Sequence, residues 1–107
     1  MLAFYLDGEA LKYEALSDTS SAVGFTKANF EAPASYAKLP VRAVLITVEV
    51  ASIYFTVDGT TPTVGGVGHQ MTAGQNYVVK GLTSIRNFLC INSSAGSGAV
   101  VKCSFFF

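Results

Sequence analysis

Charge is what this chain most conspicuously lacks. Seven basic and seven acidic residues cancel, and together they make up 13% of 107 residues. A typical soluble domain carries about 25%. The basic residues are scattered singly from Lys12 to Lys102. Binding to nucleic acid or to an anionic membrane needs concentrated positive charge, so the sequence excludes both as partners. There is one histidine and no tryptophan. Two cysteines, Cys90 and Cys103, are too few for a disulfide scaffold, and no Cys/His spacing fits a zinc site. The longest apolar stretch, 43–51, contains Glu49 and is too short to span a bilayer. The amino terminus meets Asp7 and Glu9 before any basic residue, which is not the pattern of a secretory leader. These features predict a protein that folds in a cytoplasm.

Hydrophobic residues make up 50% of the chain and the mean hydropathy is +0.44. Thr, Ser, Asn and Gly must therefore cover a surface that few charges can cover. The composition points to a face buried against other copies or another protein. The alternative is a compact monomer with a Ser/Thr-rich surface. The length suits one domain spanning residues 1–107, with 1–40 less regular and a candidate partner-contacting arm.

Strand signals dominate what is present. In VRAVLITVEV (41–50), Val44, Ile46, Val48 and Val50 alternate with Leu45, Thr47 and Glu49. IYFTV (53–57) is the next strand, so Val44 to Val57 reads as a hairpin or a bent strand pair. VGGVGHQMTAGQ (64–75) reads as a Gly-rich loop around a short edge strand. NYVVKG (76–81) is a strand and LTS a corner. IRNFLCIN (85–92) and AVVKCSFFF (99–107) form the last pair, with Phe105, Phe106 and Phe107 presenting aromatics to both faces. A hairpin folded about Gly96-Ser97 would set Cys90 opposite Cys103; two reduced core residues are the plainer reading. EALKYEAL (9–16) fits a strand better than a helical turn pair. The 29–40 segment, with Pro33 and Pro40, is extended or irregular. Short strands at regular spacing predict an all-β fold: a two-sheet β-sandwich, jelly-roll-like, with about seven or eight strands.

Little here can do chemistry. Any Ser-His-Asp or Cys-His site would have to use His69, which sits in GGVGHQM without a nucleophile motif. GGVG has no βαβ unit around it, and no P-loop, EF-hand or HExxH pattern occurs. The sequence predicts no enzyme, no cofactor and no metal. The polar corner VDGTTPT (57–63), with the Thr60 and Thr61 hydroxyls, reads first as a rigid strand-to-loop turn and second as a ligand-binding corner. Asp58 can close an Asx-turn, Gly59 supplies positive φ, and Pro62 forces Thr61 to extend.

The same stretch carries a resemblance. FTVDGTTPT (55–63), the Gly-rich loop with His69, AGQNYVVKGLTSIRNF (73–88) and a closing strand resemble small structural proteins of tailed bacteriophages. The likeness covers about residues 53–107. It implies a virion role, first of all as a capsid decoration (cement) protein bridging major capsid subunits on the head surface, made in the host bacterial cytoplasm. It also admits a head-tail or fibre-base component. A homotrimer is the first expectation and a dimer the second. IYFTVDGTTPT is similar as well to a block of β-sandwich modules appended to carbohydrate-active enzymes, which would imply a carbohydrate-binding accessory module. The residues expected at an interface are Val64, Val67, His69 and Met71, then Phe30 and Tyr36, then Phe105, Phe106 and Phe107, the last three expected with strand 41–50 to build core and subunit interface together.

Overall fold

A computed structural model describes residues 10–30 and 41–107. Tyr36 and most of the 29–40 segment lie outside the described residues. The described chain is all-β, with seven strands in two antiparallel sheets and two short helices. The strands are β1 (Ala10–Leu16), β2 (Ala43–Glu49), β3 (Ile53–Thr56), β4 (His69–Met71), β5 (Asn76–Lys80), β6 (Leu89–Asn92) and β7 (Val100–Phe106). The helices are α1 (Lys27–Phe30) and α2 (Leu82–Asn87). One sheet has the order β1-β7-β2-β5 and the other β4-β3-β6. Among the described residues no helix is long and apolar enough to cross a membrane.

Period-two alternation builds the larger sheet. Val44, Ile46 and Val48 of β2 are fully buried, as are Val101, Cys103 and Phe105 of β7. Their neighbours Leu45, Thr47, Lys102, Ser104 and Phe106 lie half-buried on the other face. Ile53, Met71 and Cys90 bring the second sheet into the same core. Burying such side chains contributes about 1.5–3 kcal/mol each. Phe25 stacks on Phe88 at 4.4 Å and meets Phe105 of β7 edge-on at 5.3 Å, and Phe88 stacks in turn with Phe55 of β3 at 5.9 Å, so this run of rings links the two sheets.

Several expectations need correction. β2 and β3 do not form a hairpin; they belong to different sheets. The switch is made at Val50, whose φ is 73°. The Ala51 N–H donates to the Glu49 carbonyl at 2.9 Å, closing a three-residue turn around it. That is a γ-turn of the rare, positive-φ sense. Residues 82–87 form α2 instead of a corner and the start of a strand. Ile85 and Phe88, three apart and both buried, are the helical spacing inside a run that looked strand-like. β6 therefore begins only at Leu89. β6 and β7 do not pair. Cys90 faces Phe55 and Val23, while Cys103 faces Ile46 and Glu14, and both thiols are free and buried. Phe30 and Met71 were expected at an interface and are buried within the domain; Phe105 and Phe107, expected to serve core and interface together, lie in the core. Phe106 alone of the terminal three is half-buried and faces outward.

The edge strand β1 is held by chemistry with no local sequence signal. Glu14 lies on its core-facing side and accepts hydrogen bonds from the Thr26 N–H (2.9 Å), the Thr26 hydroxyl (2.8 Å) and Asn29 Nδ2 (3.0 Å). One carboxylate thereby fastens the start of α1 to the sheet edge. Inward-facing charges of this kind also discourage pairing with other chains. A second polar knot is buried between Thr19, Asn92 and Ala99. The Thr19 hydroxyl lies 2.6 Å from Asn92 Oδ1 and 2.8 Å from the Ala99 carbonyl. The Ala99 N–H donates to the same Asn92 oxygen at 3.0 Å. No buried side-chain nitrogen or oxygen among the described residues lacks a partner.

Candidate functional site: the Asp58 corner and its cleft

The corner after β3 is built from interactions between near neighbours in the chain. Asp58 Oδ1 accepts the Thr60 N–H at 3.0 Å, the expected Asx-turn. Gly59 has φ 87°, a conformation that a side chain would resist. The Thr56 hydroxyl donates to the Thr60 carbonyl and closes the turn from the strand side. Pro62 is fully buried and fixes the exit direction.

The segment that follows is a closed ring. The Thr63 N–H donates to the Val67 carbonyl at 3.1 Å, and the Val67 N–H returns to the Thr63 hydroxyl at 2.9 Å. The Gly66 N–H adds a bond to the Thr63 carbonyl at 3.3 Å. Three hydrogen bonds on five residues leave this loop little freedom. Its apolar side chains point to solvent: Val64 is 41% exposed and Val67 44%. Gly68 then passes so close to β3 that a Cβ there would meet Tyr54 Cβ and the Phe55 carbonyl at 3.1 Å. Only glycine allows this approach.

Between corner and ring lies an open cleft of about 310 Å³. Asp58, Thr60 and His69 supply its polar lining, with Val57 and Val67 as aliphatic walls. Thr56 and Gly68 complete it. The Thr60 N–H and then the Thr60 hydroxyl hold the Asp58 carboxyl below its usual range, and His69 adds a smaller attraction. The His69 ring leans on Phe55 at 5.6 Å, and Phe55 stacks with Phe88 at 5.9 Å. A continuous run of aromatic rings thus reaches from the core to the cleft wall.

The structure brings Asp58, Val67 and His69 to one place, and Val64 stands beside them on the ring. Met71, two residues past His69, is 1% exposed and turned into the core. Thr60 was part of the corner as the sequence was read, whereas Thr56 is a member of the site that sequence reasoning passed over. Its signal was the spacing of hydroxyls around Asp58-Gly59. Among the described residues no group of three His, Cys, Asp or Glu side chains is placed to hold a metal ion. Burial pushes the Cys90 thiol up to about 12 and raises Cys103 as well, so neither is poised as a nucleophile. In comparisons with known proteins, no family model, no curated protein and no solved structure matches this chain.

Proposed function

We propose that the protein is a structural component of a tailed-phage virion, acting as a capsid decoration (cement) protein that stabilises the head by bridging major capsid subunits. The observation that carries this reading is the hydrogen-bonded ring of residues 63–67, which presents Val64 and Val67 to solvent from a rigid corner. A loop pinned in this way loses little entropy when it docks. Two further points support the reading. The sequence blocks that resemble phage structural proteins fall on β3, the corner, β4, β5, α2 and β7. The low charge suits a chain whose surface is covered by neighbours. Many copies on one shell act together, so modest affinity per copy suffices. Shell symmetry favours a homotrimer, with a dimer next.

The test is to mix the purified chain with heads assembled from major capsid protein alone. Cosedimentation and a raised temperature of head disassembly are expected. The double variant Val64→Glu with Val67→Glu should fold normally and lose binding. Absence of cosedimentation by the wild-type chain would sink the proposal. Light scattering on the free chain reads the oligomeric state.

A further inference from the structure

We infer that the Asp58 cleft is a receptor for an arginine side chain presented by a partner protein. The inference names the chemistry by which the corner would meet its partner, so it rests on the reading of this corner as partner-facing. Asp58 is the formal charge of the cleft at neutral pH, and its carboxylate is already oriented by Thr60. One ion pair among the described residues, Lys102 with Glu49 at 3.0 Å, lies on the other sheet. The Thr60 hydrogen bonds dominate the surroundings of Asp58, and His69 adds only a smaller attraction. The carboxylate is therefore positioned by Thr60, and no lysine or arginine of the described residues lines the cleft beside it.

The rest of the lining fits a guanidinium better than an ammonium or an anion. Val57 and Val67 form walls against which the aliphatic stem of a long basic side chain can lie. The His69 imidazole, braced by Phe55, offers a planar wall for a planar cation. Gly68 packs directly on β3 and lends backbone, not a side chain, to the lining. A guanidinium has only donors, and a carboxylate takes it with charge-assisted bonds. An anion would meet that carboxylate with no lysine or arginine in the lining to offset the repulsion. A neutral sugar could use the hydroxyls but would leave the carboxylate's charge unmatched.

The experiment uses the full chain labelled with ¹⁵N, followed by amide chemical shifts. Two probes are titrated separately: N-acetyl-arginine N-methylamide, and its citrulline analogue, which has nearly the same shape and no charge. The amides of Thr60, Gly68 and His69 should move with the arginine probe and saturate at about 1–10 mM, the range of a single unassisted contact. The citrulline probe should bind at least about tenfold more weakly. Asp58→Asn keeps an oxygen for the Thr60 N–H, so the turn should survive while the arginine response falls by a similar factor. Equal responses to the two probes would overturn the assignment, as would shifts confined to other parts of the surface. A methyl glucoside that moves the same amides at lower concentration would overturn it in favour of a sugar site. Arginine binding in a chain that ignores capsid heads would sink the virion reading and leave the cleft assignment standing. Head binding with no arginine response would do the reverse.

Discussion

Replacing Val50 by glycine should make the protein more stable, although it removes a hydrophobic side chain from the middle of the chain. Val50 occupies the positive-φ turn that carries the backbone from one sheet to the other. A β-branched residue in a sparsely populated backbone region costs about 1–3 kcal/mol. Its side chain recovers little of that. It is 74% exposed, so roughly a quarter of a valine's burial energy is at stake, about 0.4 kcal/mol. Glycine removes the strain but gives the unfolded chain more freedom, which costs about 0.5–1 kcal/mol. The difference favours glycine by on the order of 1 kcal/mol, or a melting temperature about 4–8 °C higher for a domain of this size. Val50→Ala is the control. Alanine keeps most of the backbone strain and loses the same small burial, so it should melt within about 2 °C of wild type. Calorimetry on the three proteins reads the result. If the glycine and alanine variants melt together, or if both melt below wild type, the strain is not there and the reasoning fails.

Three other outcomes follow from the same structure. Phe105→Ala removes a fully buried ring that meets Phe25 edge-on, and should cost about 3–5 kcal/mol by denaturant titration; an unchanged midpoint would show that the ring does not belong to the core. Cys90 and Cys103 should resist a thiol reagent at neutral pH in the native protein and both react after denaturation, since burial disfavours their thiolates; fast native labelling would contradict their placement. Asp58 has a carboxyl held below its usual range, so its contribution is present above the unfolded value of about 3.9 and is lost as pH falls through the folded one. The gap in melting temperature between wild type and Asp58→Asn should therefore change as pH falls below the unfolded value of about 3.9, and a constant gap would refute the linkage.

The parts of the fold that were readable in the sequence are those whose physics is local. In β2 and β7, every second residue is apolar because one face meets the core, and that alternation is visible without any partner. The Asp58 corner was readable for the same reason: an Asx-turn joins residues two apart, and a positive φ asks for glycine in its own place. Strand pairing was not readable. SSAGSG between β6 and β7 has the composition of a hairpin loop, yet its two flanks enter different sheets. Nothing in a turn states which strand the next segment will find. The α2 helix was hidden because Ile85 and Phe88 run straight into the strand residues Leu89 and Ile91. The Glu14 clamp and the Thr19–Asn92 knot join residues far apart in sequence, so they appear only once the sheets are assembled. The cleft itself lies between these cases. Asp58 and His69 were each visible, but their shared pocket depends on the β3–β4 register, which sets Phe55 against His69.

The position of β7 has a consequence for how the molecule comes into being. β7 lies between β1 and β2, and β1 has no other partner in its sheet. Leu16 must wait for Val101, and Tyr13 for Ser104. The earliest described strand thus has no strand to pair with until nearly the whole described chain is on hand. Closing so large a loop before any contact rewards it places the rate-limiting step late and makes assembly slow, in the milliseconds-to-seconds range of non-local β topologies. During that interval the uncovered flank of β7 is a template for the β1 segment of any molecule nearby. Exchange of β1 between two copies would satisfy the same ladder, so the insertion that completes the monomer is also its simplest route to a swapped pair.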